Sequence, residues 1–217
     1  MMTKIKICGL TSEEAIAAVC DAGADYAGFV FYPPSPRHLE PTRAAALAGG
    51  LEGSILKVAL TVDADDRLLD QIMNTLLPDV LQLQGSETPE RVRELGERYG
   101  RAIMKAIGIE NKADLSLIAD YRATADLLLL DAKAPKSDRA LPGGNGLAFD
   151  WGLISGQRIE DDWLLAGGLT TRNVAEAIRV TGAPGVDVSS GVESAPGVKD
   201  PEMIREFVRA AKAATAF

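Results

Sequence analysis

The chain has 217 residues, 47% of them hydrophobic and 25% charged, which is enough for one sizeable core, so a single domain over 1–217 is expected. Its 31 acidic residues outweigh 23 basic ones for a net charge of −8, the wrong sign for a nucleic-acid surface. No apolar run is long enough to span a membrane, and Met1–Lys4 leads into a strand pattern rather than an apolar leader, so a cytoplasmic protein is expected.

Lys4-Ile5-Lys6-Ile7-Cys8 alternates with period two, which predicts a strand carrying Lys4, Lys6 and Cys8 on one face. Thr11-Ser12-Glu13-Glu14 reads as a capping box with Thr11 as N-cap, and Cys20 joins Ile16 and Val19 on the apolar face of the helix that follows, where a core position is expected. Tyr26–Phe31 is a second strand, closed by the proline-rich stretch through Arg37, and Pro41 opens an alanine-rich helix. Ile55–Leu60 is a third strand, and Asp63 is expected to cap a helix with Leu68, Leu69, Ile72, Met73 and Leu76 at helical spacing. Val80–Gly85 is a fourth strand, with Thr88 and Pro89 starting the next helix. Ala102–Ile107 is the fifth, Asn111 caps a helix to about Tyr121, and Leu127–Asp131 is the sixth, ending on a carboxylate. The loop Ala132–Gly146 is long enough to mark a functional segment. A short helix at Asp150–Ile154, a strand at Trp163–Ala166, a helix at Thr171–Val180 and a strand at Gly185–Val188 follow, and Asp200-Pro201 opens a last amphipathic helix.

Eight strand–helix units at about 27 residues each, with near-continuous apolar strands, imply a parallel sheet covered by helices and favour closure into a (β/α)8 TIM barrel. Ligands then bind at the carboxyl ends of the strands, where the chemistry-bearing residues fall. Gly143, Gly144 and Gly146 follow strand six, Gly167 and Gly168 strand seven, and Ser189, Ser190 and Gly191 strand eight. Glycines let backbone N–H groups close on an anion, so three such clusters in neighbouring loops predict a phosphate site, with a helix start near Pro196-Gly197-Val198 adding its amides. Cys8 and Asp131 are titratable groups at strand ends. A thiol base and a carboxylic acid suit proton transfer if their pKa values are tuned apart. Equally, Cys8 alone reads as a core thiol and Asp131 as a cap or ion-pair partner.

Arg37, stiffened by Pro36, could grip a carboxylate with two parallel bonds. His38 reads as a surface loop residue, and one histidine with one cysteine makes no zinc shell, so no metal and no cofactor are expected. By parity Lys6, Gln82, Gln84, Lys105 and Asp187 point into the barrel, with an ion pair expected between Lys6 and Asp187 across strands one and eight.

Lys6-Ile7-Cys8-Gly9-Leu10-Thr11, Ser35-Pro36-Arg37, Leu81-Gln82-Leu83-Gln84-Gly85, Gly143-Gly144-Asn145-Gly146 with Phe149-Asp150-Trp151, Ala166-Gly167-Gly168-Leu169 and Gly185–Glu193 together resemble the phosphoribosylanthranilate isomerases of tryptophan biosynthesis. The resemblance runs from the first strand to the last helix, in order. It implies a cofactor-free Amadori rearrangement of N-(5-phosphoribosyl)anthranilate, with Cys8 as general base and Asp131 as general acid. Asp131 would protonate the furanose ring oxygen and open it to a Schiff base, and Cys8 as thiolate would take the proton from C2. Arg37 would hold the anthranilate carboxylate, Gly144, Gly146, Gly168, Ser190 and Gly191 would bind phosphate, and Asp187 would support the site.

The small-molecule phosphorylated substrate implies no nucleic-acid or membrane partner, and a monomer or a homodimer is expected. One departure is Gln84, where the family commonly has histidine; glutamine can hydrogen-bond but not titrate. The free thiol is mostly protonated at neutral pH, and Lys6 on the same strand face is expected to favour the thiolate. A class I aldolase with a Schiff-base lysine at Lys105 or Lys57 is the competing enzyme reading, and a phosphate-ligand binding barrel the non-enzymatic one.

Overall fold

The computed structural model describes residues 3–133, 143–144, 146, 148–157, 159 and 162–214. Eight parallel strands close on one another in chain order. They are β1 (Lys4–Cys8), β2 (Tyr26–Phe31), β3 (Leu56–Thr61), β4 (Val80–Leu83), β5 (Ala102–Ile109), β6 (Leu127–Ala132), β7 (Trp163–Leu165) and β8 (Gly185–Val188). Closure is made by β8 pairing with β1, which sets Lys6 opposite Asp187. The covering helices are α1 (Glu13–Ala22), α2 (Pro41–Ala48), α3 (Asp66–Thr75), α4 (Pro89–Tyr99), α5 (Ser116–Tyr121), α6 (Val174–Thr181) and α7 (Pro201–Ala214). Between β6 and β7 the described residues form a 3-10 turn at Trp151–Leu153. None of these helices is long and apolar enough to cross a membrane.

Two apolar layers follow from strand parity. Tyr26, Val58, Val80, Met104, Ala106, Leu129, Leu164 and Ala166 fill the barrel interior. The alternate residues, such as Ile5, Ile7, Phe29, Leu81, Ile103 and Leu130, pack outward against helices through Ile16, Leu69, Val92 and Phe207. Lys105 departs from expectation. It lies between Met104 and Ala106, both interior, so its side chain is on the outer face, where Nζ meets Glu87 Oε2 at 3.0 Å and the carbonyls of Leu83 and Gly85. The count that placed it inward ran in step with the wrong neighbours on a strand buried on both sides.

The local signals are sound but some caps are shifted. Ser12, not Thr11, caps α1, its Oγ accepting from Ala15 N at 3.2 Å, and Thr11 donates instead to Gly197 O. Asp65, not Asp63, caps α3; Asp63 takes a left-handed backbone (φ 46) and accepts from Ser86. Cys20 is partly buried at the edge of the core rather than within it. At the opposite end of the barrel from the strand carboxyl termini, aspartates just before β2, β4 and β6 clamp the preceding strand. Asp25, Asp79 and Asp126 accept from the backbone N–H of Ile5, Lys57 and Ile103 at 2.9, 2.8 and 2.8 Å.

After β8 comes a 3-10 turn at Ser190–Val192, then a two-stranded hairpin, β9 (Glu193–Ala195) and β10 (Val198–Lys199). The helix start expected near Pro196-Gly197-Val198 is therefore replaced by a hairpin turn, with Gly197 at φ 82. The short helical turn in this stretch is instead the one at Ser190–Val192, directly after β8.

Candidate active site

The mouth of the barrel is a cleft lined by Cys8, Tyr32, Ser35, Arg37, Gln82, Gln84, Asp131, Gly143, Gly144, Asp187 and Ser189. A second recess shares Asp131, Gly144, Asp187 and Ser189 with it and continues over Gly146, Gly167, Gly168, Ser190 and Gly191. Every predicted site residue thus borders one continuous depression at the strand carboxyl ends. Asn145 and most of the long loop after β6 lie outside the described residues.

The second recess has the form expected of an anion cradle. Gly167 and Gly168 both have positive φ (88 and 60), a backbone conformation that leaves room for amides to converge on an anion. At Gly191 a Cβ would sit 1.9 Å from Leu169 O, so the loops after β7 and β8 can approach only because that side chain is missing.

Asp131 is the penultimate residue of β6, borders both recesses and is 8% exposed. Its Oδ1 accepts from the backbone of Ala132 at 2.8 Å and its Oδ2 from Gln84 Nε2 at 3.1 Å, while Gln82 donates to Gln84 Oε1 at 2.8 Å. Burial, followed by the nearby Asp187 charge, raises Asp131 to about 7 against these hydrogen bonds. Asp187 is held by Lys6 Nζ at 2.8 Å, the expected pair, with the Lys6 side chain fully buried. Cys8 is 4% exposed. Burial pushes its thiol above the ordinary 9.0, outweighing the pull of Lys6 and Lys199. Lys6 does favour the thiolate as expected, by its charge and by a hydrogen bond, while also pairing with Asp187; desolvation is the larger effect, so the net shift is upward.

Two residues of this site were not singled out by the sequence. Glu193 takes Arg37 in a fork, Nε to Oε1 at 2.7 Å and Nη2 to Oε2 at 2.9 Å. Lys199 reaches Glu193 Oε1 and Ser189 from β10. Glu193 ends a motif the sequence already displays, and the Lys199-Asp200 step just before a proline-opened helix was the available clue. His38 sits beside this group half-buried, its Nε2 3.4 Å from Glu40. Lys105 is outside the cleft altogether, and Lys57 directs its Nζ to Leu76 O on the outer face, so neither candidate Schiff-base lysine reaches the mouth.

The family model for N-(5'-phosphoribosyl)anthranilate (PRA) isomerase matches residues 5–210. The chain belongs to the phosphoribosylanthranilate isomerase family. Its relatives include the N-(5'-phosphoribosyl)anthranilate isomerase of Parvibaculum lavamentivorans, 57% identical over 215 residues, covering 99% of this chain and all of that protein (100%). Among solved structures, the phosphoribosylanthranilate isomerase of Thermotoga maritima superposes with a TM-score of 0.87 at 35% identity, covering 98% of this chain and 100% of that one. A phosphoribosylanthranilate isomerase in complex with reduced 1-(o-carboxyphenylamino)-1-deoxyribulose 5-phosphate superposes with a TM-score of 0.83 at 33% identity, covering 98% and 100%. As a member of this family the chain is an isomerase with a closed (β/α)8 barrel.

Proposed function

We propose that this isomerase carries out the Amadori rearrangement of N-(5'-phosphoribosyl)anthranilate to 1-(2-carboxyphenylamino)-1-deoxyribulose 5-phosphate, the tryptophan-pathway step, with Cys8 as general base and Asp131 as general acid. The observation that carries this reading is the order of groups along the depression. Arg37 and the Cys8 thiol line one recess, the glycine loops after β7 and β8 line the other, and Gly144 and the raised carboxyl of Asp131 border both. A ligand with a carboxylate on one side and a phosphate on the other fits that order.

In this reading the phosphate lies over Gly144, Gly146, Gly168, Ser190 and Gly191, and Arg37 meets the anthranilate carboxylate. Asp131, protonated through its pKa of about 7, gives its proton to the furanose ring oxygen as the C1–O bond breaks and the nitrogen lone pair forms the Schiff base. The cationic Schiff base makes the C2 proton acidic and places positive charge near Cys8, which takes that proton as thiolate. The resulting enolamine becomes the ketone by proton transfer to carbon. Asp187, held by Lys6, keeps a fixed negative charge beside the acid and so favours its protonated form.

The two pKa values stand in reverse order to their roles, the acid at about 7 and the base above 9.0. At neutral pH the productive state, thiolate with carboxylic acid, is then a minor fraction of the free protein. Lys6 and Lys199 keep that fraction from falling further. The direct test is turnover of N-(5'-phosphoribosyl)anthranilate by purified protein, followed by the loss of substrate fluorescence with the next enzyme coupled in. Turnover that Cys8→Ala and Asp131→Asn each abolish is expected. An inactive wild-type protein, or an active Cys8→Ala variant, overturns the reading.

A further inference from the structure

The hairpin β9–β10 has no part in closing the barrel, yet it carries two buried ionic side chains to the mouth. Glu193 is 4% exposed and Lys199 0% at their side chains. Lys199 has three ammonium protons and three acceptors: Ser189 O at 3.0 Å, Ser189 Oγ at 3.3 Å and Glu193 Oε1. Its bonding capacity is used within the protein, so it acts on a ligand only through its partners. Glu193 in turn accepts Arg37 in a fork and the backbone N–H of Gly197 at 3.2 Å. The hairpin itself is seated against the loops after β1 and β2. Thr11 donates to Gly197 O at 3.1 Å, and a Cβ on Gly197 would stand 2.6 Å from Pro36 O.

Charge arithmetic gives these contacts a purpose. An arginine gripped by a glutamate is a neutral pair, and a carboxylate approaching it meets the glutamate as well as the guanidinium. The cluster here is Arg37, Glu193 and Lys199, whose formal charges leave one net positive charge. Arg37 also lines the cleft, where its Nη2 donates to Gly144 O at 3.5 Å and its Nη1 lies beside Gly144. The geometry points to Lys199 as a positioning residue for the carboxylate end of the cleft, cancelling the Glu193 charge so that Glu193 can fix Arg37 without spending its attraction for an anionic ligand. This rests on the assignment of Arg37 to the substrate carboxylate made above.

The test compares two ligands, reduced 1-(2-carboxyphenylamino)-1-deoxyribulose 5-phosphate and its phenylamino counterpart without the carboxyl, by titration calorimetry. The ratio of their affinities reports the carboxylate alone. Lys199→Met is expected to lower that ratio about tenfold, with the carboxyl-free ligand changed less than about threefold. Lys199→Met combined with Glu193→Gln leaves Arg37 with an unshared charge and is expected to restore the ratio. If Lys199→Met does not fold, Glu193→Gln alone deletes the charge while keeping one of the two accepting oxygens, and must leave the ratio unchanged or higher. Equal weakening of both ligands by Lys199→Met, an unchanged ratio, or a fall with Glu193→Gln overturns the inference. Arg37→Met separates the two levels. Should it leave the ratio untouched, the Arg37 assignment itself fails; should it collapse the ratio while Lys199→Met does not, only the role of Lys199 is lost.

Discussion

Gln84 donates from Nε2 to Asp131 Oδ2 at 3.1 Å, so the neighbour that touches this buried carboxyl from just after β4 is a neutral amide. No charge arrives with it, and burial sets the balance: Asp131 rises to about 7. The folded protein therefore binds this proton more tightly than the unfolded chain. Between the ordinary carboxylate range and about pH 7, folding takes up a proton, and stability falls as pH rises through that window. The cost of ionising Asp131 is on the order of 4 kcal/mol at most once pH exceeds 7. Asp131→Asn is expected to unfold at higher denaturant than wild type at pH 8, with the gap closing towards pH 4. A gap that widens on acidification would contradict the raised pKa.

The same two groups shape the pH dependence of kcat/KM, which reports the free protein. With the acid at about 7 and the thiol above 9.0, the productive fraction rises to pH 7, stays level, and falls only in the alkaline range. Cys8→Ala should retain affinity for the reduced product analogue within about threefold while losing turnover by at least about a hundredfold. A profile already falling between pH 7 and 8 would show that the limbs belong to other groups.

Cys8 stands opposite Gly28 in the β1–β2 register, and a Cβ at Gly28 would lie 3.0 Å from Cys8 Cα and 3.1 Å from its Sγ. Gly28→Ala should displace the thiol by a few tenths of an ångström. The expected result is a loss of about tenfold or more in kcat with little change in the melting temperature. Unchanged kcat would mean that the thiol position tolerates the shift.

Lys105 and Glu87 form a buried pair on the outer face at 3.0 Å, with the Tyr121 ring 5.5 Å from the ammonium. Removing one partner leaves the other charge buried, so Lys105→Met should destabilise by about 3–5 kcal/mol, read by urea unfolding. Turnover per folded molecule should persist, because the residue is separated from the cleft by the barrel wall. Loss of turnover in well-folded Lys105→Met, or trapping of substrate on Lys105 by borohydride, would revive a lysine-based chemistry.

Strand parity made most of this architecture legible from residues alone. Alternation at Lys4–Cys8 put Lys6 and Cys8 on one face, and the Lys6–Asp187 pair follows once β8 closes on β1. The failures have a common cause. On β5 both faces are buried, so the polarity of Lys105 carried no information about direction, and its partner Glu87 sits in a loop with no periodicity to read. The cap at Ser12 rather than Thr11 reflects competition between adjacent hydroxyls, decided by a tertiary contact from Thr11 to Gly197. Glu193 and Lys199 were missed because their role depends on a hairpin that folds back across the chain onto Arg37, and local pattern does not encode that approach.

The aspartate clamps at the far end of the barrel divide its wall unevenly. Asp25, Asp79 and Asp126 tie β1 to β2, β3 to β4 and β5 to β6. The matching place before β8 is Pro184, which has no carboxylate to offer β7, a strand of three residues. Among the described residues the wall is thus three pairs fastened in this way and one that is not, and that last pair borders the glycine loops after β7 and β8. Opening of the native state should begin at that seam, with the amides of β7 exchanging with solvent ahead of those of β1, β3 and β5. A phosphorylated ligand spanning the loops after β7 and β8 would then act as the missing fastener, slowing exchange there more than anywhere else in the barrel.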